Sequence, residues 1–364
     1  MPILFSLWHS IQQRLFPHLE KELEPLTKKE QEFVRVVELA AIDKFLVPYG
    51  WVGNGRKPKD RKALALAFIA KAVWNFPTTQ ALIDYLRVSR NIRRLCGWEY
   101  VSSIPSESTF SRAFEEFSVG QLPSLIHETM VRKCFKGKIV GHISHDSTAI
   151  EGREKPLKKP KAEPQTKTKK RGRPKKGEER VEKPEKRLDQ QIDRSLQENI
   201  SELPNQCDVG GKSNSKGHQS FWPGFKFHIG GADGDIPIST LLTSASLHDS
   251  QAAIPLMQMS HERVQYLYDL CDAAYDAPQI KAFSYDNGHV PIIDPNMRRK
   301  DAVPLDPAQV VRFRERSTVE RINSNLKDNY GGRFVRVRGA AKVMAHLMFG
   351  IVALTANPLF RLLE

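Results

Sequence analysis

The chain has 364 residues, 40% of them hydrophobic, with a formal net charge of +14 and a pI near 9.6. That length supports one large domain or two ordinary ones with their own cores, and the positive surplus points to a polyanionic partner without choosing among DNA, RNA and an anionic membrane. The four cysteines, Cys96, Cys134, Cys207 and Cys271, form no CxxC pair, which argues against a structural zinc site and for reduced thiols. The apolar opening MPILFSLWHSIQQRLF lacks a basic leader and a small-residue cleavage site, and no stretch approaches a transmembrane length. A soluble intracellular protein without a membrane partner is the expectation.

Residues 26–135 read as helical. Thr27 and Glu30 form a capping-box signal for a helix running to about Phe45. A second helix is expected over about Asp60–Phe76, stopped by Pro77, and a third capped by Thr78 or Thr79 and carrying Leu82, Ile83 and Leu86. Ser106 and Ser108 flank the start of another, with Phe110, Phe114 and Phe117 on one side. An all-α domain over 1–135 is expected, either an inert bundle or one holding a DNA-binding helix-turn-helix. Composition then changes sharply: residues 151–187 hold sixteen Lys or Arg against seven Glu, a surplus of nine, with Leu157, Ala162 and Val181 as the only aliphatics. Such a stretch buries too little apolar surface to offset its ordering entropy, so disorder is expected over about 151–215.

From about 138 strands and helices alternate. Lys138–Asp146 reads as a strand, and Phe221–Gly230 with Ile236–Ser246 as a hairpin. A helix over 248–260 precedes a strand over Val264–Cys271 with Asp272 at its end; a short helix over 277–284 and a strand over His289–Ile293 follow. Asp306 and Pro307 open a helix expected to run to about Asn329, and a last apolar helix covers about 340–356. The expected class is α/β: a mixed sheet with helices on its faces, over 136–364, behind the helical domain.

Three segments carry candidate chemistry. In HISHDSTAI (142–150), alternation puts Ile143 and His145 on one face and Ser144 and Asp146 on the other. Alone, Asp146 reads equally as a turn or cap residue. YLYDLCDAAYD (266–276) offers Asp269, Asp272 and Asp276. Asp269 lies inside the strand, Asp276 suits the cap of the next helix, and Asp249 suits another helix start. Asp272 sits at the strand's carboxyl end, where open α/β sheets gather ligands, with no evident capping duty. In FRERSTVERINSNLK (313–327), Phe313, Arg316, Glu320 and Lys327 fall on one stripe of a helix; an ordinary surface Arg–Glu pair explains them as well. Together, two aspartates at strand ends and a glutamate on a later helix could converge on divalent cations. In the basic stretch, KKRGRPKKG (169–177) looks like an AT-hook: Arg171 and Arg173 lie along a narrow A·T minor groove, Gly172 clears its floor and Pro174 keeps the backbone extended. A merely solvated basic tether is the alternative.

The spacing Phe313-x2-Arg316-x3-Glu320-x6-Lys327 resembles the Y-x2-R-x3-E-x6-K signature of bacterial insertion-sequence DDE transposases. HDST, FWPGFKFHIGGADGDIPI, LTSASLHDS and CDAAYD resemble that family's first-aspartate strand, hairpin, helix entry and second-aspartate motif, in order. The helical segment from about residue 60 is similar to its N-terminal domain. The resemblance implies an RNase H-like catalytic domain that cleaves phosphodiesters at element ends and joins the 3′-hydroxyl to target DNA. It implies two Mg²⁺ or Mn²⁺ ions held by Asp146, Asp272 and Glu320, and a homodimer on terminal and target duplexes in the bacterial cytoplasm. Arg316 and Lys327 would contact DNA, and Lys226 and His228 of the hairpin count as further expected contacts. Phe313 stands where the family has tyrosine and Ala274 where glycine is common. A nuclease that cuts without joining, or an inactive A·T-rich DNA binder, are the alternatives.

Overall fold

The computed structural model describes residues 2–157, 185–213, 218–297 and 303–361. The N-terminal half is helical: α1 (Pro2–Ser10), α2 (Phe16–Glu22), α3 (Lys28–Ala40), α4 (Arg61–Val73), α5 (Thr79–Val88), α6 (Arg90–Leu95), α7 (Glu107–Val119) and α8 (Leu122–Phe135). Then come β1 (Ile139–Glu151), α9 (Arg187–Ile192), α10 (Leu196–Glu202), β2 (Asp208–Ser213), β3 (Gln219–Ala232), β4 (Ile236–Ser244), α11 (Ser250–Arg263) and β5 (Gln265–Cys271). The last elements are α12 (Pro278–Asp286), β6 (Val290–Ile293), α13 (Pro307–Phe313), α14 (Ser317–Asn329) and α15 (Ala340–Arg361).

Local chemistry sets most helix starts. At α3 the Thr27 hydroxyl accepts from Glu30 N while the Glu30 carboxylate accepts from Thr27 N at 2.7 Å, the expected capping box. The helix ends five residues short of the expected Phe45 because Ala41 turns left-handed (φ 43°). Asp60 and Thr78 cap α4 and α5. Phe68 of α4 packs between Phe110 and Phe114 of α7, with ring centroids 5.9 and 4.9 Å away.

The sheet runs β2-β3-β1-β5-β6, with β4 also on β3. β3 pairs antiparallel with β1, β2 and β4, whereas β1, β5 and β6 run parallel. This is the RNase H-like mixed sheet that the resemblance implied. α14 covers β1 and β3, and α11 contacts β1, β3 and β4; the two helices lie on opposite faces. α15 packs on α3, α4, α7, α8 and β4, so the helical region and the sheet share one hydrophobic core. α15 passes Pro358 to Arg361 rather than ending near 356. Among the described residues it alone is long and apolar enough to cross a membrane, contrary to the expectation that no stretch approaches that length, yet 83% of its most apolar window is buried in the core.

The expected disorder over 151–215 is corrected at both ends. β1 extends to Glu151, and residues 185–213 hold α9, α10 and β2. α9 and α10 depend on a tertiary surface. Gln191 donates to Gln251 O and Asn199 to Gln258 Oε1 of α11, each at 2.9 Å. Ile192 and Ile200 add apolar contacts to the clusters beneath.

Candidate active site

β1 and β5 lie side by side with His145 opposite Cys271. β5 ends at Cys271, and Asp272 caps a single tight turn, Ala273–Tyr275, by accepting from Ala274 N at 2.9 Å. It does have a capping duty, contrary to the sequence reading. β1 continues because β3 pairs with it as far as Glu151 opposite Gly224. Asp146 is therefore mid-strand, not at a strand end. The parallel ladder stops beside it, so Asp146 and Asp272 occupy neighbouring positions where the sheet opens.

Alternation along β1 holds. Asp146 and Ser144 face α14, where Asn323 donates to Asp146 Oδ2 at 3.1 Å. His145 and Ser147 face the other way: His145 pairs with buried Asp269 at 2.9 Å, and Ser147 donates to Asp249 at 2.9 Å. α14 can lie this close because Gly231 has no side chain; a Cβ there would come within 2.4 Å of Ile322 Cδ1. Val319, Ile322 and Leu326 form its buried stripe, which leaves Glu320 58% exposed over the opening. The helix expected from 306 to 329 is interrupted by a 3₁₀ turn over Arg314–Arg316. Arg316 and Glu320 keep their i, i+4 contact.

Arg316 links the elements. Its Nη1 donates to Glu320 Oε1 at 2.5 Å, its Nη2 lies 3.7 Å from Asp272 Oδ2, and its guanidinium is 6.0 Å from the Phe313 ring. Burial pushes the Asp146 carboxyl up to about 6; Arg316 and the Ser147 amide pull it down, and Asp272 pushes it further up. Asp272 is also raised, mainly by burial, against the Ala274 amide and Arg316.

The donor set suits a hard divalent cation. Asp146, Asp272 and Glu320 offer oxygen alone, burial leaves the Asp146 carboxyl short of compensating charge despite Arg316, and Arg316 contacts the other two directly. Asn323 Oδ1 and the Tyr275 hydroxyl are buried without partners. The carboxylates are not drawn together, however: among the described residues no group of three His, Cys, Asp or Glu is close enough to hold a metal ion. Arg316 lies between two of them.

Other expected residues fall elsewhere. His228 is fully buried, bonded to Thr243 Oγ1 at 2.9 Å, with its pKa depressed to about 4 by burial. Lys226 is committed to Asp249 at 2.9 Å and to Leu247 O at 2.8 Å. Both lie on the α11 side of β3, away from Asp146. Asp249 makes no cap hydrogen bond; it is the partner of Lys226 and Ser147. Asp276 likewise pairs with Lys281 at 2.7 Å rather than capping α12. Lys327 is two turns along α14 from Glu320, in a neighbouring cleft. Arg171, Gly172, Arg173 and Pro174 lie outside the described residues. Asn323 was missed, although it lies three residues after Glu320 and seven after Arg316, a spacing that marks the same stripe.

Family models described as "Transposase domain (DUF772)" and "Transposase DDE domain" match residues 18–116 and 140–356, the second covering more than half of the chain. No curated protein and no solved structure matches.

Proposed function

This chain belongs to the insertion-sequence DDE transposases, and we propose that within that family it cuts DNA at the ends of its element and joins the freed 3′-hydroxyls to a target. The observation that carries the reading is the adjacency of Asp146 and Asp272 at the end of the β1–β5 ladder, with Arg316 and Glu320 of the following helical segment beside them. In this reading Asp146, Asp272 and Glu320 would hold Mg²⁺ or Mn²⁺. Two such ions, when bound, would polarise the phosphoryl oxygens and lower the pKa of the attacking water or 3′-hydroxyl. Asn323 steadies Asp146, and the Ala274 amide orients Asp272. Arg316, once released from the carboxylates, would turn to the scissile phosphate, with Lys327 on the strand beyond. Residues 1–135 would bind the element ends, and a homodimer on DNA would hold two ends together. The AT-hook-like segment around Arg171 and Arg173 would add A·T preference, and the protein would work on the bacterial nucleoid.

Glu320→Gln tests the site, because it removes a charge and keeps the shape. With terminal DNA and Mg²⁺, end cleavage and strand transfer are expected to vanish while DNA binding persists. Full cleavage by the variant would remove Glu320 from the metal site. Cutting without joining by the parent protein would make it a nuclease on the same scaffold, and neither activity would leave a DNA-binding protein.

A further inference from the structure

Away from the carboxylates, two adjoining clefts lie along the segment that follows α14. The larger, about 530 Å³, lies between α4, α7, α15 and the segment after α14; the smaller, about 400 Å³, opens beside Lys327. Arg153 and Arg336 line both, so the two form one groove. Lys71, Arg338 and Lys342 extend its cationic lining towards the helical region.

The carboxylates nearby do not cancel this charge. Glu107 lines the larger cleft and Glu151 the smaller. Lys342 is answered by Glu115 at 3.0 Å, and Arg333 by Asp328. Arg336 and Arg338 are exposed and have no carboxylate partner among the described residues. Lys71 rises from α4, is pushed down to about 8 by burial alone, and has no carboxylate acting on it. Lys327 is lowered by burial and by the like charges of Arg333 and Lys212, against the opposing pull of Asp328 and Glu151. A buried ammonium without a counter-charge costs folding energy. A solvated basic face avoids that cost by keeping its charges apart in water.

We propose that this groove is a second DNA-contact surface, which holds the phosphodiester backbone of the duplex where it leaves the carboxylate site and crosses to the helical region. The choice of DNA as the polyanion rests on the transposase reading above. Continuity argues for it too: Lys327 stands at the mouth of the groove on the helix that carries Glu320. Backbone contacts of this kind fix register and orientation without reading sequence.

The test is binding rather than cutting. The double variant R336Q/R338Q alters two exposed side chains outside the proposed catalytic machinery. Its affinity for a labelled terminal duplex is measured by anisotropy over a salt series in EDTA. Affinity is expected to fall roughly tenfold or more, and the slope of log K against log salt to shrink by about two. A double variant with parental folding, affinity and slope would overturn the proposal. In the parent protein, amine acylation at pH 8 followed by mass spectrometry should mark Lys71, and saturating duplex should protect it; equal labelling with and without duplex counts against the groove. Unchanged duplex binding combined with loss of an inorganic-phosphate thermal shift would make the groove a small-anion site instead and also overturn the proposal. The two readings fail separately: Glu320→Gln that still cuts removes the metal site and leaves the groove, whereas an indifferent R336Q/R338Q removes the groove and leaves the metal site.

Discussion

Arg316 reaches Glu320 at 2.5 Å and Asp272 at 3.7 Å, so one guanidinium balances carboxylates from two elements. The pH dependence follows from Asp146. Its folded pKa, about 6, lies above the ordinary 3.8, so its ionisation costs stability above pH 6 and that cost disappears as pH falls through 6 towards 3.8. Arg316 lowers this carboxyl, so removing the arginine raises it further and enlarges the cost. For metal-free Arg316→Gln, a thermal midpoint about 2–4 °C below the parent is expected at pH 8, with the gap closing by pH 5. Mn²⁺ should narrow the gap at pH 8 in a scanning-calorimetry series. A gap independent of pH would show that Arg316 acts through packing. Asp272 and Asp249 can also be told apart. Asp272→Asn is expected to abolish metal-dependent cleavage with little loss of stability, since the asparagine Oδ1 can still accept from Ala274 N. Asp249→Asn removes the partner of Lys226 and is expected to destabilise more while retaining measurable cleavage. A folded, inactive Asp249→Asn beside an active Asp272→Asn would move the site to the start of α11.

At the scale of elements, α14 is seated on the sheet from one side and by α15 from the other. Gly231 admits it on the sheet side, where the obstructing atom is the end of the Ile322 side chain. Gly350 of α15 is different: a Cβ there would lie 2.4 Å from the Tyr330 carbonyl oxygen and 2.9 Å from Leu326 Cδ1. A side-chain end can rotate away, but the carbonyl moves only with the backbone. Gly350→Ala is therefore expected to cost about 1–3 kcal/mol, as overpacking does, and Gly231→Ala less. Chemical denaturation of both variants checks the order; equal costs would mean that the chain after α14 yields freely.

Across the whole molecule, positive charge is uneven. The stretch 151–187 supplies a surplus of nine out of +14, and the groove gathers Lys71, Lys327, Arg333, Arg336, Arg338 and Lys342 from outside that stretch. The AT-hook resemblance of Arg171-Gly172-Arg173-Pro174 predicts that an Arg171→Ala, Arg173→Ala double variant loses A·T preference and flattens the salt slope by about two at most. Cleavage at high DNA concentration should persist. If the ratio of affinities for A·T-rich and G·C-rich duplexes stays at the parental value, the segment acts as a charged tether.

What the sequence determined by itself rests on short-range rules. Capping at Thr27 and Thr78, the helix start at Asp60, the face of β1 that bears Asp146, the i, i+4 pairing of Arg316 with Glu320 and the order of every strand except β2 follow from periodicity and neighbouring residues. Tertiary structure decided matters that depend on partners far along the chain. β3 pairing carries β1 past Asp146, so a presumed strand end became the edge of a parallel ladder. α11 packs on the far side of β3, where His228 is buried and Lys226 is tied to Asp249, so both face away from Asp146. The surface of α11 orders α9 and α10, whose own polarity suggested no fold. The groove brings together Lys71, Arg153 and Arg336 from three distant segments. No local pattern records that meeting, because it exists only once α15 has packed the helical region against the sheet.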